Sequence, residues 1–516
     1  MQEVSQAWKD AQEQTLVPES YVEVILNVGD PDSQADATSS SNGEEYFSDA
    51  SSLAEEAKKN PPKYAMLERN MWGLDGSISI LPSNPPYGEN GYIGNVLSSA
   101  DGSYDSGNLP TITISFSQVF TAIIPGITIT WASAYDEWPE SFRVTAYNGS
   151  AQVVQQTVTD NASITSVVYM DVQNYNRITV EVLKWRLPFR RARIENILIG
   201  VERPYTKSDL MSYSHTMFVD PMSAELPKAE ITFEIKNLNG EYNPDNPHGV
   251  EQYLMERQEI TARYGYRLNG TTEWISAGRF FMSEWETPQN GITATFTARD
   301  AIEFMSDLYT GTSSGTLMAI ATAAFEQAGL PTMPDGTNRW TIDSSLSSIT
   351  AASGVDLSEN SIAEVIQLCA HAACCVVYQD RAGLFHVEPL SDRTTDYEIN
   401  RFNSYSNSEI SLTKQLKAVD INNGTYILTV GTVGETQQVS NPLISTPRAP
   451  TVAQWIANYL QNRKELSGDF RADPRLDALD RVTNINQFAE SVVLVTEINY
   501  TYNGAFRGSY EGRSGV

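Results

Sequence analysis

The sequence predicts a mainly β protein with a smaller α/β section, on three observations. Residues 77–200 carry short segments of alternating polarity at nearly even spacing, the pattern of a β-sandwich. Two more strand-rich blocks follow, from 202 to about 300 and over 409–502. Between those blocks, residues 316–328 and 361–373 switch to helical periodicity, and the second helix runs into a hairpin. A chain of 516 residues accommodates three or four domains at about 100–200 residues each.

Taken in order, Val4, Trp8 and Ala11 recur at helical spacing and predict a short amphipathic helix that docks on another element. Residues 1–16 lack a basic region and a continuous apolar core, so they do not read as a secretory signal. Residues 21–28 (YVEVILNV) alternate and predict a strand. From Gly29 to about Ser52 the Ser-, Asp- and Ala-rich composition predicts a long loop or linker with little to bury.

Sandwich strands are expected at 77–81, 111–116, 126–131, 141–147, 152–159, 166–171, 177–183 and 193–199, with a hairpin turn at Asn148-Gly149. In the next block 230–236, 259–267, 273–286 and 292–297 alternate, and Asn269-Gly270 turns a second hairpin. Helix 316–328 is stopped by Gly329 and then Pro331. Helix 361–373 is apolar at Ile362, Val365, Ile366, Cys369 and Ala373, and the following hairpin, 375–378 with 384–389, turns at 380–383. One more helix, 451–462, sits among the closing strands, 409–437 and 491–502.

With 64 acidic and 35 basic side chains the formal charge is −29. Such a chain repels nucleic acid, whose binding needs clustered Lys and Arg to displace counterions. No apolar run approaches the roughly 18 residues of a membrane helix. The best, 121–131, is broken by Pro125 and Gly126. Three cysteines in a chain this long make no disulfide framework and predict a reducing compartment. Sequons such as those at Asn148, Asn161, Asn269 and Asn423 therefore carry little weight.

There is no phosphate-binding Walker loop, no H-E-x-x-H and no G-x-G-x-x-G. Asp30, Asp32 and Asp36 suggest calcium, but an EF-hand loop needs Gly at its sixth position, here Ala35, and Glu at its twelfth, here Ser41. Cys369, His371, Cys374 and Cys375 are four potential zinc ligands by count. Yet Cys369 and His371 lie about 200° apart on a helix, and adjacent strand residues point to opposite faces. A packed helix-to-strand junction is expected there. His215 and His248 fall in loop-like sequence and His386 within a strand, all expected to be structural or exposed. The sequence thus predicts no catalytic residue, no metal site and no cofactor.

Two features remain as candidate contacts. Trp131, Tyr135, Asp136 and Trp138 surround a loop, with Glu137, that could grip a sugar by stacking and hydrogen bonds, wedge a strand crossing or face a partner. The basic segment KWRLPFRRAR places Lys184, Arg186, Arg190, Arg191 and Arg193 around Pro188. Pairing with an acidic surface, within the chain or between subunits, suits it better than nucleic acid, because Arg forms bidentate carboxylate pairs.

Several segments together resemble a known family. Residues 63–77 (KYAMLERNMWGLDGS), 112–116, 127–130 and 188–200 (PFRRARIENILIG) resemble a galactose-binding-like, discoidin-type sandwich carried by phage tail and baseplate proteins. Residues 233–247 (FEIKNLNGEYNPDNP), 253–266 and 275–285, with Gly278 and Asp300, resemble the baseplate hub and tail-tip family of phages and related contractile particles. The helix and hairpin at 361–390 fit that family's middle section. Residues 455–460, Asp473-Pro474-Arg475 and Asp480-Arg481-Val482 are similar to the closing barrel of tail hubs.

The resemblance implies an N-terminal helix, strand and acidic linker over 1–75 and the galactose-binding-like sandwich over 76–201. It implies a first hub β-barrel over 202–310, a lateral helical α+β domain over 311–390 and a second hub β-barrel over 391–516. A ring of three such subunits would present six near-equivalent surfaces to a sixfold tail tube, and its acidic lumen would let DNA slide. The implied partners are further copies of the chain, the tail tube, distal-tail and baseplate proteins, and a tape-measure or spike protein. Assembly in the host cytoplasm and residence in a virion tail or extracellular tail-like particle follow from the same likeness. Arg186, Arg190, Arg191 and Arg193 become candidate intersubunit contacts, and Trp131, Tyr135, Asp136 and Trp138 candidate contacts to a host-surface glycan or a partner. Many tail-tip hubs continue into a lysin or peptidase domain; the closing residues 512–516 hold none, so a hub without hydrolase activity is expected. The rival reading is a receptor- or carbohydrate-binding adhesin acting through the sandwich. A glycoside hydrolase, which needs two carboxylates about 5–10 Å apart in one cleft, has no signal in the sequence.

Overall fold

The alternation near the N-terminus is realised as strand Ser20–Gly29, with Val22, Val24, Leu26 and Val28 turned into the core. The computed structural model describes residues 1–14, 18–45, 48–54, 65–66, 68, 71–72, 78, 91–246, 253–254, 257–288, 291–333 and 337–515. The expected strand 77–81 apart from Ile78, most of segment 63–77, Pro247 and His248 lie outside the described residues. The helix before that strand is Gln6–Glu13, capped by the Ser5 hydroxyl accepting from the Trp8 N–H. Trp8 is fully buried and meets Tyr266 edge-on at 4.7 Å, so the helix docks by one large side chain.

Ser20–Gly29 pairs antiparallel with Gly200–Tyr205 on one side and Glu259–Leu268 on the other. The sheet continues through Thr271–Glu286, Thr293–Arg299, Lys228–Lys236 and Leu210–Phe218, which with the first three strands form a first β unit. It then crosses into a second unit, Glu490–Tyr502, Phe506–Ser514, Lys464–Phe470 and Glu409–Leu412. Arg481–Ile485 pairs with the start of Glu490–Tyr502 and carries Thr394–Ile399 in parallel. Asn269 and Gly270, at φ 51° and 91°, supply the left-handed pair that a two-residue hairpin demands.

The two barrels expected from the resemblance are replaced by this single 13-stranded sheet; among the described residues no ladder closes either unit. The physical reason lies in Leu210–Phe218, a strand the sequence analysis did not predict. One edge pairs with Lys228–Lys236 and the other with Glu490–Tyr502, in the register Tyr213↔Tyr502 to Phe218↔Glu497. Both edges are consumed in joining the units, so neither is left to close one. Phe233, Tyr264 and Phe296 of the first unit and Val482, Tyr500 and Phe506 of the second share one core.

The sandwich stacks a five-stranded sheet, Thr38–Ser41, Thr111–Phe120, Tyr175–Trp185, Pro139–Asn148 and Ala151–Val158, against shorter ones. One of these is Asn196–Leu198, Ile124–Thr130 and Thr165–Val172; the other is Arg191–Ile194 with Tyr92–Leu97. The expected strand 193–199 is thus split between two sheets. The expected loop 29–52 is also corrected: Asp30 caps helix Pro31–Asp36, and Thr38–Ser41 adds an edge strand to Thr111–Phe120. A polar composition reads as a loop, but a free backbone edge gives even a Thr-Ser-Ser-Ser strand its ladder partners.

The α/β module packs helices Leu317–Ala328, Ile362–Ala373 and Ala449–Leu460 in one core with Val377, Phe385, Val419 and Ile421. The first helix starts on the Thr316 hydroxyl and ends on Gly329 at φ 61°. The second opens with a capping box of Ser361 and Glu364. Strands Val376–Gln379 and Phe385–Glu388 form the expected hairpin, which reaches back to the first β unit.

Candidate functional site

Strand Ile124–Thr130 delivers Trp131 into the sandwich core, where it is 0 % exposed and donates its indole N–H to Ser166 Oγ at 2.7 Å. It packs against Phe142 and Trp185 with ring centroids at 4.8 and 6.4 Å. Trp131 is therefore a core residue, and the expectation that it contacts a glycan or partner is corrected: an inward strand end leaves no face for one. The turn that follows is held by Glu195, whose Oε1 accepts from the Ser133 N–H at 2.7 Å, and burial raises this carboxyl. Asp136 stands exposed in the left-handed region at φ 53°. Tyr135 and Trp138 are half-buried and capped by guanidinium groups, Arg193 at 4.7 Å and Arg186 at 4.0 Å from the ring centroids.

The basic segment folds inward at two of its four candidate positions. Arg190 Nε donates to Glu137 Oε1 at 2.9 Å, and the Trp185 indole N–H reaches Glu137 Oε2 at 3.0 Å. Arg193 pairs with buried Glu68, and Arg191 with Glu45 at 2.6 Å. A buried charge persists only when paired, so the expected intersubunit role of Arg190 and Arg193 gives way to pairing within the chain. Arg191 is half-buried in such a pair, and Arg186 keeps its surface position on Trp138. Of the candidate contact residues, the structure brings together Arg193 with Tyr135 and Arg186 with Trp138, and separates Trp131 from the surface.

The cysteine-histidine cluster spreads out in space. Cys369 faces the module core, where burial pushes its thiol far up. The His371 ring meets Asn441 Nδ2 at 3.3 Å, and burial lowers its pKa to about 4. Cys374 ends the helix at φ 60° and accepts from Arg448, while the buried Cys375 thiol is pushed up to about 12. Among the described residues no three His, Cys, Asp or Glu side chains converge as a metal would need.

A cavity of about 300 Å³ lies where the first β unit, the 376–388 hairpin and the loop at Asp477 meet. His215, which the sequence placed in a loop, lines it from Leu210–Phe218, with Nδ1 2.6 Å from the Tyr264 hydroxyl. Burial lowers its pKa to about 3, so it is neutral. Asp300 accepts from the Ala229 and Ile302 N–H groups, both at 3.0 Å, and burial lifts its pKa to about 7. Arg381 bonds Asp477 Oδ1 and the Ser276 and Leu476 carbonyls, tying hairpin, first unit and loop together. His386 bonds Asp380 at 3.0 Å and stacks on Tyr378 at 4.9 Å. Among the described residues no serine, threonine or cysteine lines this cavity; Asp300 is held by backbone N–H groups, Asp380 by His386 and the Leu384 N–H, Asp477 by Arg381, and Arg393 by the Tyr378 hydroxyl. The arrangement is suited to fastening three segments.

The remaining candidate is a surface. Glu409–Leu412 ends the large sheet; among the described residues it pairs only with Lys464–Phe470 and its other edge is open. Ile410 and Leu412 on its face are 49 % and 69 % exposed, and Phe402 and Phe488 of the same unit are 78 % and 88 % exposed. An open edge with apolar side chains is an association surface. That 409–437 is strand-rich was legible, but that 409–412 would lie outermost was not.

No protein-family model and no curated protein matches the chain. Among solved structures it aligns with the 43 kDa tail protein of prophage MuSo2 from Shewanella oneidensis, at 11 % identity over 60 % of this chain and 93 % of that one, TM-score 0.41. A tail protein from Neisseria meningitidis aligns at 11 % identity over 61 % and 94 % of the two chains, TM-score 0.41. Prophage tail protein gp18 from Listeria monocytogenes aligns at 14 % identity over 61 % and 91 %, TM-score 0.38. No helix among the described residues is long and apolar enough to cross a membrane.

Proposed function

We propose that this chain is a structural component of a phage tail or phage-tail-like particle, a baseplate hub or tail-tip protein whose work is assembly geometry. The observation that carries the reading is the doubled sheet: two β units fused across the ladder between Leu210–Phe218 and Glu490–Tyr502, ending in an open edge with exposed Ile410 and Leu412. Association with neighbouring chains would satisfy such an edge. The order of family-like segments along the sequence supports the same reading.

The hub is a homotrimer in this proposal, contacting the tail tube on one side and distal, spike or tape-measure proteins on the other. The α/β module is lateral, and the sandwich is a galactose-binding-like domain on the periphery. Its mature location is the tail. Light scattering behind a sizing column, at two concentrations, tests the ring: a species near three times 57.1 kDa is expected. A monomer at both concentrations that also fails to join a tail tube on mixing would sink it.

A further inference from the structure

The two β units are built alike, strand for strand. Across the sheet the first runs Glu259–Leu268, Thr271–Glu286, Thr293–Arg299, Lys228–Lys236, Leu210–Phe218. The second runs Arg481–Ile485, Glu490–Tyr502, Phe506–Ser514, Lys464–Phe470, Glu409–Leu412, with the same order along the chain and every neighbour antiparallel. Between the second and third strands of each series the register slips, at Met282/Glu284 in one unit and at Val495/Glu497 in the other. With these bulges aligned, the ladder pair Glu230↔Arg299 falls on Glu465↔Arg513, and both are ion pairs. Ile410 then corresponds to His215 and Leu412 to Met217.

The correspondence explains why one pair is buried and the other is not. His215 and Met217 are buried because the far edge of their strand pairs with the part of Glu490–Tyr502 beyond the bulge, Thr216 opposite Asn499 and Met217 opposite Ile498. Ile410 and Leu412 stand exposed because the far edge of theirs has no partner among the described residues. The part of Thr271–Glu286 beyond its own bulge, from Glu284 on, pairs with Thr293–Arg299 alone among the described residues, so its other edge is open as well. Six strands stand between these two open edges within the chain.

We propose that Glu409–Leu412 of one copy pairs antiparallel with residues 284–288 of a second copy, with Leu412 opposite Trp285, Ser411 opposite Glu286 and Ile410 opposite Thr287. The joint inside the chain is thereby repeated between chains. Leu412 and Trp285 take the buried places of Met217 and Ile498, and Glu284 takes that of Glu497, a carboxylate the joint already accommodates. The contact is head-to-tail, so every copy offers both edges and association continues until a rotation closes it. The inference rests on the association proposed above and supplies the partner strand for its open edge.

Cysteine crosslinking of the full chain tests it. Directly opposite residues stand about 4.5–5.5 Å apart at Cα, within disulfide reach, and an offset of two residues exceeds it. Ser411→Cys with Glu286→Cys, both at exposed positions, should give covalent multiples of 57.1 kDa on oxidation with copper phenanthroline. The product should be lost in either single variant and in Ser411→Cys with Glu284→Cys. If the double variant does not fold, amide exchange on the wild type decides: protection should rise together at 284–288 and 409–412 as concentration is raised. An oligomer without the 411–286 crosslink overturns the inference and leaves the tail reading standing, as does protection gained at 409–412 alone. A crosslink from Ser411→Cys by itself also overturns it, because the two 409–412 edges would then pair with each other. A monomer at every concentration overturns it too, and sinks the tail reading only if the chain also fails to join a tail tube.

Discussion

The two ends of the large sheet are treated differently. At one end Gly200–Tyr205 is covered: Thr128 of the sandwich donates its hydroxyl to the Gly200 carbonyl at 3.0 Å and accepts the Glu202 N–H at 3.4 Å. At the other, Glu409–Leu412 has four exposed residues and nothing beyond it among the described residues. A sheet edge is an association hazard that must be covered or used. One end is covered within the chain, and the other is left for use.

The largest perturbation of the covered end is Trp131→Ala. Removing a fully buried indole packed on Phe142 and Trp185 should cost about 3–5 kcal/mol, read by denaturant unfolding. Amide exchange should then rise at 200–205 and stay unchanged at 409–412. Equal change at both ends would erase the contrast.

Next in size is a pH effect at the joint between the units. His215 is held near pKa 3 in the folded chain by burial, against an ordinary value of 6.5. The unfolded chain takes up its proton first as pH falls, so this contribution is complete above 6.5 and shrinks toward pH 3. The loss should reach about 3 kcal/mol by pH 4. Asp300, lifted to about 7 by burial, lines the same cavity and acts in the opposite sense, losing its contribution as pH rises through 7. The two slopes offset each other in the wild type, so the His215 part is read from the midpoint of wild type minus that of His215→Phe, which should shrink as pH is lowered from 6.5 toward 3; a pH-independent difference would refute it.

Gly200→Ala comes third. Its φ of 153° and a Cβ placed 2.8 Å from both Gly29 Cα and the Val28 carbonyl oxygen force the covered end apart. A cost of about 1–3 kcal/mol is expected, with faster proteolysis between the sandwich and the first unit. The smallest effect on stability belongs to the open end. Ile410→Lys or Leu412→Lys should leave the unfolding free energy within about 0.5 kcal/mol, yet shift the solution mass toward 57.1 kDa. An unchanged mass would mean that the open edge is not the one used.

What was legible in the sequence is instructive residue by residue. Thr316 and Gly329 bounded one helix and Ser361 began another, because caps are decided within four residues of chain. Asn269-Gly270 announced its hairpin for the same reason. Trp8 announced a docking helix by its period. The segment from Gly29 to Ser52 misled, since a strand of Thr and Ser gains its partner from residues 111–120 and has no signal of its own. His215 was read as a loop residue, although Tyr213, His215 and Met217 alternate inward in their strand. Trp131 and the arginines suggested a contact surface because their chemistry is that of interfaces, which is also the chemistry of a paired, buried junction.

By itself the sequence determined the class of the protein, the bounds of the 317–328 helix and the start of the 362–373 helix, several tight turns and the acidic charge, all of which follow from composition or from neighbours a few residues apart. Only the tertiary structure decided that Arg193 finds Glu68, 125 residues away, and that Leu210–Phe218 spends both edges joining the units. It also decided that one sheet end is sealed and the other open. Ladders and buried ion pairs depend on which distant segments meet. Alternation marks a strand that can pair and does not mark the partner.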